Sequence, residues 1–254
     1  MTPARNLMTA GAVALALSLV GCTTDDPAVE ADPTPSAEDP VTPADSPRDS
    51  GLTYDLRDAT PLGDVPAGTA LRPGRYAMGF SSEDDAPLLL VDVPSGFTAG
   101  GDPYEFSDDT PFRHFDTWTV ADVATDPCGD ADWVDPGPGV DDLADALAAL
   151  PSWETTRPTP IRIGGHEGVS MELNVPDRLP AACPEPLPGW RDDQGGTQGV
   201  GPGKSQHLWI VDVDGQRVVI LAGYFSGAEV PGTGQVDELI AMAEGARFVV
   251  PSQG

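Results

Sequence analysis

The sequence predicts an α+β domain, in which a mostly antiparallel sheet built from hairpins carries two main helices and one disulfide. The clearest observation is "HLWIVDVDGQRVVILAGYF" (207–225), because Asp214-Gly215 between two apolar runs is typical of a type I′ hairpin. Helical periodicity occurs at 139–151 and again near the end of the chain, separated from the strand patterns. Strands and helices that segregate in this way indicate hairpins, not alternating strand–helix–strand units. A signal peptide and a disordered tether are expected to precede this domain.

Residues 1–21 have the order of an export signal. Arg5 precedes an apolar run of 15 residues, 7–21, which is shorter than the roughly 18 residues expected of a membrane span. The run closes on "LVGC", in which Gly21-Cys22 resembles the end of a bacterial lipobox. The resemblance implies cleavage between Gly21 and Cys22, diacylglycerol on the Cys22 thiol, and acylation (palmitate) of the new N-terminus. The alternative is a cleaved signal that carries an unmodified cysteine.

Residues 22–50 are expected to form a disordered tether. After Cys22, the segment 23–50 has six prolines, eight acidic residues, one arginine and no aromatic residue. Such a composition cannot bury enough apolar surface to offset the entropy of ordering. We therefore expect a spacer that holds the domain away from the extracytoplasmic face of the cell membrane, although filler without function would have the same composition.

The charge of the chain limits the partners it can bind. There are 41 acidic and 13 basic residues, which gives a net charge of −28. Nucleic acid and anionic lipid surfaces both require clustered lysine and arginine, so neither is an expected direct partner. The acidity favours either a cationic partner or simply a well-solvated surface. The remaining length suits a lead-in with a first strand (51–84) and one globular domain (85–254).

The elements follow in order. Residues 51–73 predict a loose lead-in, 74–80 a first strand, and 86–97 a second strand with a turn at Pro94-Ser95-Gly96. The segment 111–123 predicts a third strand. One face of that strand is expected to carry Phe112, His114, Asp116 and Trp118.

The second half begins with the helix at 139–151, which has apolar residues at helical spacing and ends at Pro151. A hairpin around Gly164-Gly165 is predicted within 159–176, and 177–206 is expected to be a long irregular loop. The strong hairpin at 207–225 follows, and 235–251 predicts a helix and a final strand.

Two cysteines remain once Cys22 is assigned to lipid. In an exported chain Cys128 and Cys183 are expected to form a disulfide, which closes a loop of about 55 residues and contributes roughly 4 kcal/mol in the chain-entropy model. A free or metal-binding pair is the alternative, but histidines are not near in sequence.

Motifs for catalysis and nucleotide binding are incomplete. Gln198 stands where a P-loop ending in Gly203-Lys204-Ser205 needs its first glycine, and the stretch leads into a predicted strand. Ser170 lacks the second glycine of a nucleophile elbow. A Ser-His-Asp set would have to use one of the three histidines, His114, His166 and His207, which we expect to be packing or surface residues. We expect no enzymatic activity and no cofactor.

Two further features leave alternatives open. The segment 126–142 carries Asp126, Asp130, Asp132, Asp135, Asp141 and Asp142. These are oxygen ligands that suit calcium, although the EF-hand spacing is not met and turn or capping roles also explain aspartates. Trp153 and Trp190 lie in Pro/Gly-rich stretches, where an exposed indole would indicate a sugar- or protein-binding face and a buried one a plug for a small core.

Four segments in this order resemble a secreted or lipid-anchored domain family of actinobacteria whose function is unknown: "ATDPC", "DPGPGVDDLADALAALP", "TPIRIGGHEGVSMELNVP" and "LWIVDVDGQRVVILAGYF". "VDVPSGF" and a late helix before "RFVV" also resemble the Mog1/PsbP-like fold, which implies partner binding. We therefore expect a non-enzymatic, lipid-anchored binding or accessory protein of the cell envelope, with an envelope protein or glycan as its ligand. A cell-envelope hydrolase and a calcium-dependent binding module are the alternatives.

Overall fold

A computed structural model describes residues 56–80, 86–109, 112–129, 132–225 and 233–249. All of them belong to one compact unit, Asp49–Gly254. The expected signal peptide 1–21, the lipid-bearing Cys22 and the tether 22–50 lie outside the described residues and stay predictions. No helix in the described ranges is both long and apolar enough to cross a bilayer.

The described residues contain two α-helices and sixteen strands. The helices are α1 (Val140–Ala148) and α2 (Thr233–Gly245). The strands of the first half are β1 (Thr60–Pro61), β2 (Gly74–Met78), β3 (Leu88–Val93), β4 (Thr98–Ala99), β5 (Glu105–Asp109), β6 (Phe112–Trp118), β7 (Asp122–Ala124) and β8 (Trp133–Val134). Those of the second half are β9 (Glu154–Thr155), β10 (Thr159–Ile163), β11 (His166–Asn174), β12 (Leu187–Arg191), β13 (Thr197–Val200), β14 (Lys204–Val213), β15 (Gln216–Phe225) and β16 (Arg247–Val249).

An eight-stranded antiparallel sheet forms the centre, in the order β10-β11-β14-β15-β6-β5-β4 with β9 paired to β11. The predicted hairpin at its middle is confirmed: β14 and β15 pair from Lys204 with Phe225 to Val213 with Gln216. Asp214 and Gly215 have φ angles of 53° and 87°, as a type I′ turn requires. The predicted hairpin of β10 and β11 is also confirmed.

Two outer layers cover the central sheet and create two apolar cores. On one face lie helix α2 and a four-stranded sheet, β1-β2-β3-β16. On the other face lie helix α1 and a second small sheet, β13-β12-β7-β8. The α+β class with two helices packed on a mostly antiparallel sheet is therefore confirmed.

Strand β6 is buried along most of its length because it lies between these cores. Phe115 packs into the core beneath α2, whereas Trp118 packs against the core beneath α1. The alternation predicted for 111–123 is thus confirmed within Phe112–Trp118. The strand ends earlier than predicted, because Asp122–Ala124 leaves the central sheet and pairs with β12 in an outer layer.

The predicted irregular loop at 177–206 is wrong in its second half. It contains strands β12 and β13, and β14 already begins at Lys204. Apolar residues spaced between the glycines and prolines explain the difference: Leu187 and Trp190 are 0% exposed and anchor this outer sheet in the core beneath α1. The lead-in is also less loose than predicted, since Leu62 and Leu71 are buried in the other core.

The predicted disulfide is confirmed. Cys128 and Cys183 are joined with an S–S distance of 2.02 Å, and both pack against the core beneath α1. The bond ties the turn after β7 to the long connection between β11 and β12. Trp153 and Trp190 are buried in the same core, with ring centroids 6.4 Å apart, so both are core plugs and not an exposed binding face.

Candidate functional site

A cleft of about 280 Å³ opens beside the end of strand β6. It is lined by residues from four parts of the chain: Phe80, Asp102, Tyr104, Glu105, Asp116, Thr117, Trp118, Thr119, Asp192, Asp193 and Gln194. Five of these residues are acidic and three are aromatic, and no lysine or arginine is among these lining residues. The cleft therefore combines strong negative charge with apolar surface.

Asp116 is the most deeply placed of the acids. It is 6% exposed because β5 and β15 flank β6 on either side. Its Oδ1 is buried and has no hydrogen-bond partner among the described residues. A buried acceptor without a donor destabilises a fold by about 1–3 kcal/mol, so an unpaired carboxyl oxygen at a cleft calls for an explanation.

Glu105 lies directly opposite Asp116 on the neighbouring strand β5. Burial raises the pKa of Asp116 well above its ordinary value, and the charges of Glu105 and Asp102 raise it further. The indole N–H of Trp118, which itself has no hydrogen-bond partner among the described residues, lies near enough to oppose that rise in the pKa, because a nearby donor favours the ionised carboxylate. Burial, and then the charge of Asp102, also raises the pKa of Glu105. The two carboxyl groups thus hold their protons more strongly than surface acids do.

His114 stands behind Asp116 on the same face of β6. Its Nε2 lies 3.5 Å from Oδ2 of Asp116, and its Nδ1 is buried without a hydrogen-bond partner among the described residues. Burial, and then the positive charge of Lys204, lowers the pKa of His114 to about 4. The imidazole is therefore neutral at pH 7, so its contact with Asp116 is not an ion pair. Gly223 lies beneath the ring, and a β-carbon there would overlap the imidazole.

Backbone donors hold the acids of the two cleft walls in place. On one wall, Oδ1 of Asp102 accepts the N–H groups of Tyr104 and Glu105 at 2.9 and 3.1 Å. On the other wall, Oδ1 of Asp192 accepts the N–H groups of Gln194 and Gly196 at 2.9 and 2.7 Å. These carboxylates are fixed by the fold and do not swing freely.

Acidic residues on both walls of the cleft affect the pKa of the Tyr104 hydroxyl. Burial raises the pKa of Tyr104, and the charges of Asp102, Asp192 and Asp193 raise it further. Negative potential from both walls therefore meets across the cleft. Such a cleft favours a positively charged group and disfavours an anion.

The acidic segment 126–142 does not form a comparable site in the described residues. Asp126 accepts the Cys128 N–H at 3.2 Å, Asp135 accepts the Gly137 N–H, and Asp142 accepts the Gly139 N–H at the start of α1. These are turn and capping roles. Asp130 lies outside the described residues. Among the residues that are described, no three His, Cys, Asp or Glu side chains are grouped to hold a metal ion.

The incomplete motifs take structural roles. Lys204 begins strand β14, so Gly203-Lys204-Ser205 does not precede a helix, and Lys204 Nζ lies 4.3 Å from the ring centre of Phe112. Ser170 lies inside strand β11. The remaining two histidines are also on strands: the His166 ring packs edge-on to Phe248, and His207 stacks on Trp209 at 4.2 Å.

Sequence reasoning placed Asp116 and Trp118 on one strand face but missed the other acids of the cleft. Glu105 is missed because strand β5 is not among the predicted elements, although "YEFS" (104–107) alternates apolar and polar residues. Asp192 and Asp193 fell in the predicted irregular loop. The alternation could have identified β5; nothing local in the sequence indicates that the 192–194 turn lies opposite it.

Asp116→Asn is expected to stabilise the protein at neutral pH. A carboxyl group whose pKa is raised by folding costs stability as the pH rises above the pKa of the unfolded chain, near 4. An amide does not ionise, so the variant avoids this cost, and a gain on the order of 1–3 kcal/mol is expected at pH 8. Urea unfolding of both proteins from pH 4 to 8 measures the difference.

The measurements at pH 4 and below serve as the reference for this comparison. At pH 4 and below the difference between the two proteins should shrink, because Asp116 is then protonated in the folded and unfolded states alike. Stability linked to His114 is lost as the pH falls from 6.5 towards 4, whereas well above pH 6.5 the imidazole is neutral in the folded and unfolded states, so the difference measured there reports Asp116. A difference that does not change with pH would contradict the raised pKa of Asp116.

Comparison of this chain with protein-family models, with curated proteins and with solved structures gives no match.

Proposed function

We propose that this chain is a lipid-anchored binding protein on the extracytoplasmic face of the cell membrane, and that the cleft around Asp116 is its ligand site. The observation that supports a ligand site is that Asp116 lines the cleft while Oδ1 of its buried carboxyl has no partner in the described residues. The lipobox-like "LVGC" and the Pro- and acid-rich segment after it support the anchor and the spacer. The resemblance to secreted actinobacterial domains agrees with this location.

The anchor is tested by metabolic labelling with an alkyne-bearing palmitate. We expect the wild-type chain to take up label and to fractionate with membranes, and Cys22→Ala to lose both properties. Cys128→Ala with Cys183→Ala is the matched control, since it changes cysteines that bear no lipid in this account. A wild-type chain that is released to the medium without label would contradict the anchor.

The ligand site is tested by a thermal-shift screen across compound classes, namely amines, amino acids, sugars and short peptides. Thr119→Trp is the comparison variant, because Thr119 lines the cleft and an indole there would fill it. Since a ligand at 100 times its Kd stabilises the folded state by about 2.7 kcal/mol, a cleft ligand should raise the wild-type Tm and leave that of Thr119→Trp unchanged. No shift with any class, or equal shifts in both proteins, would contradict a ligand site here.

A cell-envelope hydrolase is the second candidate, and one observation favours it. Glu105 and Asp116 are cross-strand neighbours with raised pKa values, and a carboxylic acid with a raised pKa is the usual general acid of a hydrolase. Turnover separates the two functions: a hydrolase would release reducing ends or amino groups from isolated cell walls and would lose this activity on Glu105→Gln. Binding without turnover supports the first proposal.

A further inference from the structure

We propose that the cleft binds an alkylammonium group, with the carboxylates of Asp116 and Glu105 as its acceptors and the aromatic residues of the cleft against its carbon chain. This inference rests on the proposed function, since it names the chemistry of the ligand for the same site. The carbon chain and the ammonium could belong to a free polyamine or to a lysine side chain, which share this chemistry.

The charge of the ligand follows from the lining. Five acidic residues and no basic residue line the cleft in the described part of the chain. Oδ1 of Asp116 is a buried acceptor that lacks a donor, and an ammonium group supplies three donors. A hydrogen bond between an ammonium and a carboxylate is charge-assisted and roughly twice as strong as a neutral one. An ammonium group should therefore gain the most binding free energy at the unpaired Oδ1 of Asp116.

An organic cation fits the cleft better than a metal ion. Calcium takes six to eight oxygen ligands at about 2.3–2.6 Å, which requires carboxylates to converge on one point. The acids here are spread over opposing walls, and no group of three is placed to hold a metal ion among the described residues. Phe80, Tyr104 and Trp118 offer apolar and π surface instead, which attracts ammonium groups and their carbon chains.

The space available sets the size of the carbon chain. The cleft has a volume of about 280 Å³, enough for a short alkylamine but small for a folded peptide segment. A second hollow of about 300 Å³ adjoins it and shares Phe80, Thr119 and Asp193. Its other lining residues include Val120 and Val218, which offer apolar surface to a longer chain, and Arg217, whose guanidinium donates to the Val120 carbonyl.

Binding should release protons. The pKa values of Asp116 and Glu105 are raised by burial and neighbouring acids, and a bound cation would favour the ionised form of both groups and lower these pKa values. Asp102, in the loop before β5, adds negative charge next to both carboxyl groups, and a bound cation would offset that charge as well. Affinity should therefore increase as the pH rises, until both carboxyls are ionised without a ligand.

Three basic side chains adjoin this cluster: His114 contacts Asp116, Lys204 acts on His114, and Arg217 lines the adjoining hollow. With a pKa of about 4, His114 stays neutral from pH 5 to 8 and exchanges no proton there. Burial lowers the pKa of Lys204, whose Nζ lies over the rings of Phe112 and Phe225, and its charge acts on His114. None of the three occupies the cleft lining, so the site for the cation is not already filled by a side chain of the described residues.

Isothermal titration of the detergent-solubilised lipoprotein with n-butylammonium chloride tests the inference. Butan-1-ol has the same chain without the charge, and we expect it to bind at least about tenfold more weakly. Titrations at pH 5 and pH 8 in two buffers of different ionisation enthalpy give the number of protons released. We expect tighter binding at pH 8 and a net proton release at intermediate pH.

Two variants separate a specific site from adsorption to an acidic protein. Asp116→Asn should weaken n-butylammonium binding by about tenfold or more, the loss of one charge-assisted contact. Asp92→Asn removes one exposed charge from strand β3 and should leave the affinity unchanged. Equal weakening by both variants, or equal binding of the alcohol, would overturn the inference.

These experiments distinguish failure of the ammonium-binding inference from failure of the proposed ligand site. If n-butylammonium does not bind while another compound class stabilises the wild type but not Thr119→Trp, the ligand site stands and the ammonium chemistry is wrong. If no class binds, both fail. If n-butylammonium binds, 1,4-diaminobutane and N-acetyl-lysine methylamide are compared, and the tighter of the two identifies a free polyamine or a lysine side chain as the source.

Discussion

Replacing Cys128 and Cys183 together with alanine is expected to lower the free energy of unfolding by about 4 kcal/mol, one of the two largest effects predicted for this chain. The bond spans 55 residues, a segment that contains helix α1, the β9–β11 strands and part of the following connection. Without it the unfolded chain gains the entropy of this loop. The folded state also loses the fixed connection between the turn after β7 and the segment before β12. Strand β12 carries Trp190, which fills the core beneath α1.

Chemical unfolding with and without reductant measures this effect. For a domain of this size about 4 kcal/mol corresponds to a fall in Tm on the order of 10 °C. The double variant should be insensitive to reductant, while the reduced wild type should unfold like the variant. A wild type whose unfolding midpoint does not respond to complete reduction would contradict the role of the disulfide.

Arg113→Met is expected to destabilise the protein by about 2–3 kcal/mol, less than the about 3–5 kcal/mol of a fully buried ion pair, because its partners Asp108 and Glu238 are 17% and 38% exposed. Arg113 is 4% exposed and joins the central sheet to helix α2. Its guanidinium donates to Asp108 Oδ2 at 3.1 and 3.2 Å and to Glu238 Oε2 at 2.6 Å. It also donates to the Gln235 carbonyl at 3.3 Å and lies 4.6 Å from the ring centre of Phe97. Methionine keeps much of the volume but none of these donors.

Arg75→Met is the matched control for this substitution. Arg75 pairs with Asp92 at 2.9 Å, but both side chains are well exposed, at 38% and 68%. An exposed ion pair contributes about 0–1 kcal/mol, so the control should unfold close to the wild type. Similar losses in the two variants would show that burial of Arg113 is not what makes its contacts matter. Hydrogen exchange should further show α2 opening first in Arg113→Met.

The parts of the fold that local patterns encode were predictable from the sequence. Asp214-Gly215 requires the backbone of a type I′ turn, so the hairpin of β14 and β15 could be predicted. The helix at Val140–Ala148 followed from apolar residues at helical spacing. Even the faces of β6 could be assigned, because side chains alternate along a strand. Each of these features depends on residues close in sequence.

The parts that depend on distant pairing were not predictable. Strand β12 contains Pro188 and Gly189, which argue against a strand, yet burial of Trp190 against Trp118 and Trp153 holds it in an outer sheet. The candidate site depends on the same kind of pairing. Glu105 meets Asp116 only because β5 pairs with β6 in one register, and the turn that follows β12 reaches the cleft only through the outer sheet.

The acidity of the chain is explained either by a solvated surface or by a cation-binding site, and the cleft distinguishes these two interpretations. Most of the 41 acidic residues need no explanation beyond a solvated surface. Asp116 differs because it is buried, lies beside a second carboxyl group and has an oxygen without a partner among the described residues. A general preference for cations would follow from net charge alone, whereas binding at this one carboxyl would not.

Photolabelling with a short alkylamine that carries a diazirine tests the central claim most directly. The solubilised lipoprotein is irradiated with the probe at 0.15 M salt, where long-range attraction is screened beyond about 8 Å, and the labelled peptides are mapped. The account predicts labelling concentrated on the cleft lining, residues 102–105, 116–119 and 192–194, and its loss in Asp116→Asn. Labelling spread evenly over the acidic surface and unchanged by Asp116→Asn would contradict it.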